Sequence, residues 1–338
     1  MSYISYFDLL GTRGFCENSE VYYRNIKEFY ETVQQQSCFL SSGKVGIFSD
    51  CAYAQSPSLY NLLLFLVEVR DRLLAQGLFF NAVVKEGDLD INVIEKTDTR
   101  PAFGVVFNNS KIADLFITQS QFKGIGIWID PSLTNEIDRL ENFKITKCFY
   151  LEKKVESGRD IIKPIPYNDI AFTLNGYTKE VEHTLDIFFH EFYSAYIKSK
   201  KFGMYYISSI CNFLRSCNRN FKWDFEKKVF ISQPLEFKTI ENMLRTNDLS
   251  DFRGIEYLAL IMLDIVYNAE TLNEEEVKDY TKRIVGIECV KKRFIHNLNE
   301  VPKGIFSNNI SMKINNRELF IKYCQDDLSN DFVETLFE

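Results

Sequence analysis

An α+β domain followed by a mostly helical one is the fold class this sequence predicts, and three observations carry it. Over roughly the first 150 residues, short apolar runs of strand length alternate with segments of helical spacing. Two of these runs close on a carboxylate, Asp8 in SYISYFD and Asp50 in KVGIFSD. From about residue 160 the strand pattern gives way to long helical periodicities. The expected domains are residues 1–155 and 165–338, joined by a connector that Pro164 and Pro166 punctuate.

Taken in order, residues 2–8 read as a strand buried on both faces, with Gly11 and Gly14 marking a tight turn after it. Residues 19–36 place Val21, Ile26, Phe29 and Val33 on one helical stripe. KVGIFSD (44–50) and CAYAQS (51–56) follow with no room for a helix, so they form a hairpin with its tip at Ser49–Cys51. A helix from about Ser58 to Gln76 is stopped by Gly77. The segment 79–91 and the segment ending at Gly104 are expected to pair as strands. A helix over 107–120, a strand over 124–130, a short acidic helix near 134–141 and a strand over 143–151 complete the first domain. The order is a ferredoxin-like ββα pattern, one sheet with helices on one face. Helices are predicted over 178–200, 203–217, 237–246, 252–268 and 272–297, with weaker elements near 315–324 and 328–336.

Composition excludes several classes. The apolar fraction is 46% and the charged fraction 26%, as in a soluble globular protein. Net charge is −7 and evenly spread, with 14 basic and 18 acidic residues in 1–150 and 26 and 29 in 151–338. No basic half or tail is present to track a phosphate backbone, which argues against nucleic-acid binding. The apolar stretches near Leu59–Val67 and Tyr257–Val266 are too short or too interrupted to span a bilayer, and the N-terminus lacks a signal-peptide pattern. Eight cysteines without a CxxC pair are expected to be reduced core thiols of a cytoplasmic protein. Three histidines give no zinc spacing.

The chemistry sits in the first domain. Two carboxylates brought together from separate strands are what a pair of hard divalent cations requires, since Mg²⁺ uses one or two carboxylates and leaves the rest of its shell to water and substrate phosphate. Two such ions clamp the attacking and leaving oxygens of a displacement at phosphorus. Taken singly, an aspartate at a strand end also reads as the first residue of a turn, and Asn108 as a helix N-cap.

Three motifs in order, YISYFDLLGTRGF, VGIFSDCAYA and Gly104-x-x-Phe107-Asn108-x-Ser110, resemble those of the class III nucleotidyl cyclases over about residues 1–150. The resemblance implies the class III catalytic fold, with Asp8 and Asp50 binding two Mg²⁺ or Mn²⁺ ions and the Leu9 carbonyl as an extra ligand. It implies that the turn Leu10–Gly11–Thr12 cradles the triphosphate with backbone N–H groups at a helix N-terminus. It assigns Asn108 to the ribose, contributed by the partner subunit, so that two active sites form at a homodimer interface.

The departures from the family pattern are as informative. Where the family carries its transition-state arginine, this chain has Ile112, so either another cation substitutes or the domain is slow or inactive. Arg13, Arg100, Lys111 and the Lys153–Lys154 pair are the candidates. At the two purine-reading positions it has Gly46 and Pro101, with Lys44 on the same strand face as Gly46 available for a different base edge. A cyclase domain without purine readers, followed by a helical domain, is similar to the bacterial Pycsar antiphage cyclases. That resemblance implies CTP or UTP as substrate, cyclic CMP or cyclic UMP as product, a regulatory or sensing C-terminal domain and a separate effector protein that the product activates. A purine cyclase and a catalytically inactive nucleotide-binding module are the alternatives.

Overall fold

The computed structural model describes residues 2–11, 18–94, 104–122, 125–140, 142–143, 145–156, 159–170, 178–198, 206, 209–210, 213, 223–224, 229–230, 238–246, 249, 255, 258–259, 262–263, 266 and 273–291. The chain divides into two compact units, one of Met1–Ile145 with Asn168–Ala171 and one of Thr146–Tyr167 with Phe172–Glu338.

The first unit is built on a sheet in the order β2 (Lys44–Phe48), β3 (Cys51–Ser56), β1 (Tyr3–Leu9), β4 (Phe80–Glu86) and β7 (Gly126–Ile129), with the end of β9 (Arg159–Ile170) as the next strand. β1 is central and antiparallel to both neighbours, whereas β4 and β7 run parallel. Helices α1 (Ser19–Gln36) and α2 (Leu59–Ala75) cover one face. Asn18 opens α1, its side chain accepting from the N–H groups of Glu20 and Val21, and Ser58 opens α2 by accepting from Asn61. Gly77, at φ +72°, terminates α2 as its position in the sequence predicts.

Phe7 is the centre of that core. Its ring meets Phe29 of α1, Phe65 of α2 and Phe80 of β4 edge-on, with centroids 6.1, 5.9 and 5.9 Å away. All four side chains are fully buried. Such pairs add about 0.5–1.5 kcal/mol each beyond area burial.

The helices do not lie on one face, as the sequence pattern suggested. α3 (Lys111–Gln121) covers the opposite face of β1 and β4, where Leu115 and the half-buried Ile112 join Ile4, Tyr53 and Val83 in a second, smaller core. The strand pairing also differs. β4 pairs with β1 and β7, while β5 (Ile91–Ile94) and β6 (Gly104–Phe107) form a separate hairpin of their own. Gly104 therefore starts a strand rather than ending one. A short 3₁₀ turn at Pro131–Leu133 and α4 (Thr134–Ile137) stand where the acidic helix was expected.

The proline connector is a strand. β8 (Ile145–Glu156) and β9 occupy it. Pro164 and Pro166 lie within β9, and its register with β7 is made by Asn168 and Asp169, so neither proline has to donate to that ladder. Asp169 is buried, accepts from the Ile127 N–H at 2.9 Å and lies 3.8 Å from Arg70 of α2. Burial pushes its carboxyl up to about 7 against the pull of Arg70. Arg70 also donates to the Ile170 carbonyl at 2.7 Å, which ties the end of β9 to α2.

In the second unit the described helices are α5 (Thr178–Lys198), α6 (Lys238–Thr246) and α7 (Glu274–Val285), and the described residues of 203–217 and 252–268 are helical as predicted. β10 (Trp223–Asp224) and β11 (Val229–Phe230) form a minimal pair that the sequence pattern did not suggest. α7 carries a reciprocal capping box between Asn273 and Glu276 and ends at Val285. After a turn at Gly286 and Ile287, residues 288–291 are helical again, and the rest of the predicted helix to 297 lies outside the described residues. The predicted elements near 315–324 and 328–336 fall outside the described residues. Among the described residues no helix is long and apolar enough to cross a membrane. The described cysteines Cys38, Cys51 and Cys289 are free thiols, and only Cys289 is a core residue as expected.

Gly126, at φ +140°, lies under the Asp169 carboxylate, where any added Cβ would collide with it. Gly126→Ala is therefore expected to destabilise the chain by about 2–3 kcal/mol, read as a fall in the urea midpoint without a change in slope.

Candidate active site

The pairing of β1 with β3 sets Asp8 and Asp50 side by side. Asp8 is directly opposite Cys51, Asp50 immediately precedes Cys51, and the Leu9 N–H donates to the Asp50 carbonyl at 2.7 Å. The β2–β3 turn is just Ser49 and Asp50, with φ +53° at Ser49, the left-handed conformation that tight hairpins use. The Ser49 hydroxyl lies 3.1 Å from that of Tyr22 on α1.

Register fixes which side chains share this face. Alternation along β1 sends Tyr3, Phe7 and Leu9 into the larger core and Ile4, Tyr6 and Asp8 to the α3 side. One row across the sheet reads Phe48, Cys51, Asp8, Asn81 and Gly126, and the next Gly46, Tyr53, Tyr6, Val83 and Trp128. Burial, reinforced by repulsion from Asp50, pushes the Asp8 carboxyl up to about 7, although hydrogen bonds from the Gln119 side chain and the Leu9 backbone pull the other way. Burial also raises the Tyr6 hydroxyl and the Cys51 thiol, which hydrogen-bond one another.

Two crowded, half-buried carboxylates form an arrangement that a cation relieves. Among the described residues no group of three His, Cys, Asp or Glu side chains gathers in a metal-binding arrangement. The protein donors are thus two carboxylates, and a hard ion that keeps water and phosphate oxygens in its shell fits such a set.

Tyr53 was not singled out by the sequence. Its ring lies across Gly46, the residue opposite it, so closely that any side chain at 46 would meet it. Phe107 meets the Tyr53 ring edge-on at 5.1 Å and Phe48 lies 5.6 Å away. Position 46 is glycine because an aromatic ring already fills its space. Lys44 is exposed on edge strand β2, on the same face as Gly46.

Asn108 is not brought to the carboxylates. It follows β6, its N–H donating to the Asp90 carbonyl at 2.8 Å, and its side chain is exposed. The N-cap of α3 is Ser110, which makes no side-chain cap hydrogen bond, while the Asn109 side chain accepts from the Lys111 N–H at 3.1 Å. α3 runs opposite to β4: Lys111 lies by Gly87, Asp114 pairs with Lys85 at 2.9 Å, and Gln119 reaches Asn81. Asn108 thus sits beyond the Ile4 end of β1, separated from Asp8 by at least four residues of strand, about 13 Å. Lys111 is at that same far end.

The turn expected to cradle the phosphates is described only in part: the Leu10 N–H is taken by the Phe79 carbonyl at 2.7 Å, and the residues where the helix N-terminus was expected fall outside the described ones. Leu10 is therefore not a free donor, and Gly11, at φ +83°, makes the turn. Thr12, Arg13, Arg100 and Pro101 lie outside the described residues, as do the side chains of Lys153 and Lys154 in β8. The buried amides Asn81 and Gln119 also escaped the sequence. The available signal was a polar residue at 119 on the stripe that Ile112 and Leu115 begin.

No family model matches the chain, and no curated protein matches its sequence. Solved structures similar to it include the guanylyl cyclase Cya2, at 14% identity over 50% of this chain and 91% of its own with a TM-score of 0.33. The guanylate cyclase domain of RhGC from Catenaria anguillulae, in complex with GTP, is 9% identical over 51% of this chain and 96% of its own, with a TM-score of 0.35. The adenylyl cyclase CyaB from P. aeruginosa is 12% identical over 50% and 92%, with a TM-score of 0.33.

With its carboxyl raised to about 7, folded Asp8 holds a proton that the unfolded chain has released between about pH 4 and pH 7. Metal-free protein accordingly loses stability as pH rises through that window. Asp8→Asn removes the loss and is expected to be more stable than the parent at pH 8 by about 1–2 kcal/mol, after discounting for partial exposure. Denaturation in a chelating buffer from pH 4 to 8 checks this, and the difference closes toward pH 4.

Proposed function

We propose that this chain is a nucleotidyl cyclase of the class III type that converts CTP or UTP to cyclic CMP or cyclic UMP and pyrophosphate. The observation that carries the reading is the Asp8–Asp50 pair, set side by side by the β1–β3 register and crowded enough to raise Asp8. Two Mg²⁺ or Mn²⁺ ions bound there would acidify the ribose 3′-hydroxyl and neutralise the departing pyrophosphate. Asp8 and Asp50 supply hard oxygen ligands, and the Leu9 backbone beside Asp50 is suited to add its carbonyl. The 3′-oxygen bonds to the α-phosphorus, the bond from that phosphorus to the bridging oxygen breaks, and the 3′ proton passes to solvent.

The distance from Asn108 to Asp8 supports a homodimer. The ribose at one carboxylate pair is then oriented by Asn108 of the partner subunit. The Tyr53 ring over Gly46 supports a pyrimidine, because it fills the space of a purine-reading side chain and narrows the base site. A bacterial antiphage setting, a cytoplasmic location, a sensing role for residues 165–338 and a separate effector for the product follow from the Pycsar resemblance and belong to the same proposal.

A second reading, a nucleotide-binding module without turnover, is favoured by Ile112, which packs into the smaller core where the family's transition-state arginine would stand. The carboxylate pair speaks against it, since binding without turnover has no need of two metals.

Incubating the protein separately with ATP, GTP, CTP and UTP in Mn²⁺, with products resolved by mass, tests all three readings. A cyclic pyrimidine nucleotide that disappears in Asp50→Asn is expected. Cyclic AMP or cyclic GMP instead would sink the base assignment, and nucleotide binding with no pyrophosphate released would favour the module. Tyr53→Ala, which opens the space above Gly46, is expected to raise turnover of purine relative to pyrimidine triphosphates by at least about tenfold.

A further inference from the structure

Two amides are buried beside Asp8. Asn81 of β4 is 3% exposed and directly opposite Asp8 in the β1–β4 register, and Gln119 of α3 is 7% exposed. Burying an amide costs on the order of 1–3 kcal/mol unless its hydrogen bonds are met. Here they form a chain. Asn81 donates from Nδ2 to the Phe122 carbonyl at 3.4 Å, just past α3, and accepts at Oδ1 from Gln119 Nε2 at 2.6 Å. The Gln119 carboxamide also hydrogen-bonds the Asp8 carboxylate. The β-sheet thus fixes Asn81, Asn81 fixes the plane of the Gln119 amide, and that amide is left with a donor for Asp8. Apolar side chains in this row would have packed without such a network.

We infer that Gln119 is a positioning residue for the metal centre: oriented by Asn81, its carboxamide holds the Asp8 carboxylate in the rotamer that meets a divalent cation jointly with Asp50. The inference rests on the metal-centre reading above. An unheld carboxylate at a strand end samples several rotamers, and a ligand that must first be ordered binds metal more weakly. Groups that orient metal ligands in this way are worth roughly 10–100-fold in metal affinity.

The test is Mn²⁺ binding to the full chain without nucleotide, followed by loss of the free-ion electron paramagnetic resonance signal. Gln119→Met keeps the side chain's length and removes its carboxamide. It is expected to weaken Mn²⁺ binding at least about tenfold with unchanged stoichiometry. A role in packing alone would lower the fraction of competent protein and leave the dissociation constant of the remainder unchanged, which overturns the inference, as does wild-type affinity. Should Gln119→Met fail to fold, Asn81→Ala reads the same effect by releasing the Gln119 amide, with weaker binding expected and wild-type affinity overturning the proposal. Parent protein that binds no Mn²⁺, or binds it as well in Asp8→Asn, would overturn the metal-centre reading instead.

Discussion

The register of β1 is the constraint on which the rest of the first unit depends. Phe7 and Asp8 are consecutive, so they point to opposite faces, and burying one commits the other. Phe7 is held by three rings from three different elements, Phe29, Phe65 and Phe80. A slip of one residue would carry Asp8 into that core and Phe7 out to the α3 side, exchanging several kcal/mol of aromatic packing for a buried charge. The apolar core therefore sets the position of the carboxylate. The site inherits its precision from residues that take no part in its chemistry.

The same register distributes charge unevenly across the two faces. Toward α1 and α2 the sheet presents aromatic and aliphatic side chains, while the α3 side carries Asp8, Asn81 and the Tyr6–Cys51 contact. α3 touches this face along its whole length. Its first turn lies by Gly87 and its last turn reaches Asn81, so one rigid helix links the turn bearing Asn108 to the neighbourhood of Asp8. In the proposed dimer the two ends of α3 serve different active sites. A change in the seat of the helix would then be felt at both.

Legibility in the sequence followed the range of the interactions. The strand placement of Asp8, the β2–β3 hairpin turn at Ser49–Asp50 and the Gly77 stop were readable because period-two alternation and turn chemistry are local. The strand nature of 159–170 was hidden by Pro164 and Pro166, residues that read as breaks in a strand pattern even where the chain is a strand. The separate β5–β6 hairpin was assigned to the wrong partner because a strand pattern carries no information about which strand it pairs with. Tyr53 over Gly46, Gln119 on Asn81 and Arg70 by Asp169 are contacts between residues seven to a hundred positions apart, and no spacing rule reaches them.

The packing of α3 also gives a physical sense to Ile112. Ile112 and Leu115 lie on one stripe of the helix, and that stripe enters the core formed by Ile4, Tyr53 and Val83. An arginine at 112 in this seat would bring a guanidinium against apolar side chains, where an unpaired charge is far costlier than at the surface. The helix that binds its own sheet through position 112 cannot offer a cation from that position to a phosphate. Replacing Ile112 by arginine would therefore disturb the seat of α3, and with it Gln119, before it supplied any charge. A cation for the proposed reaction has to come from another element, because this face of α3 is used as core.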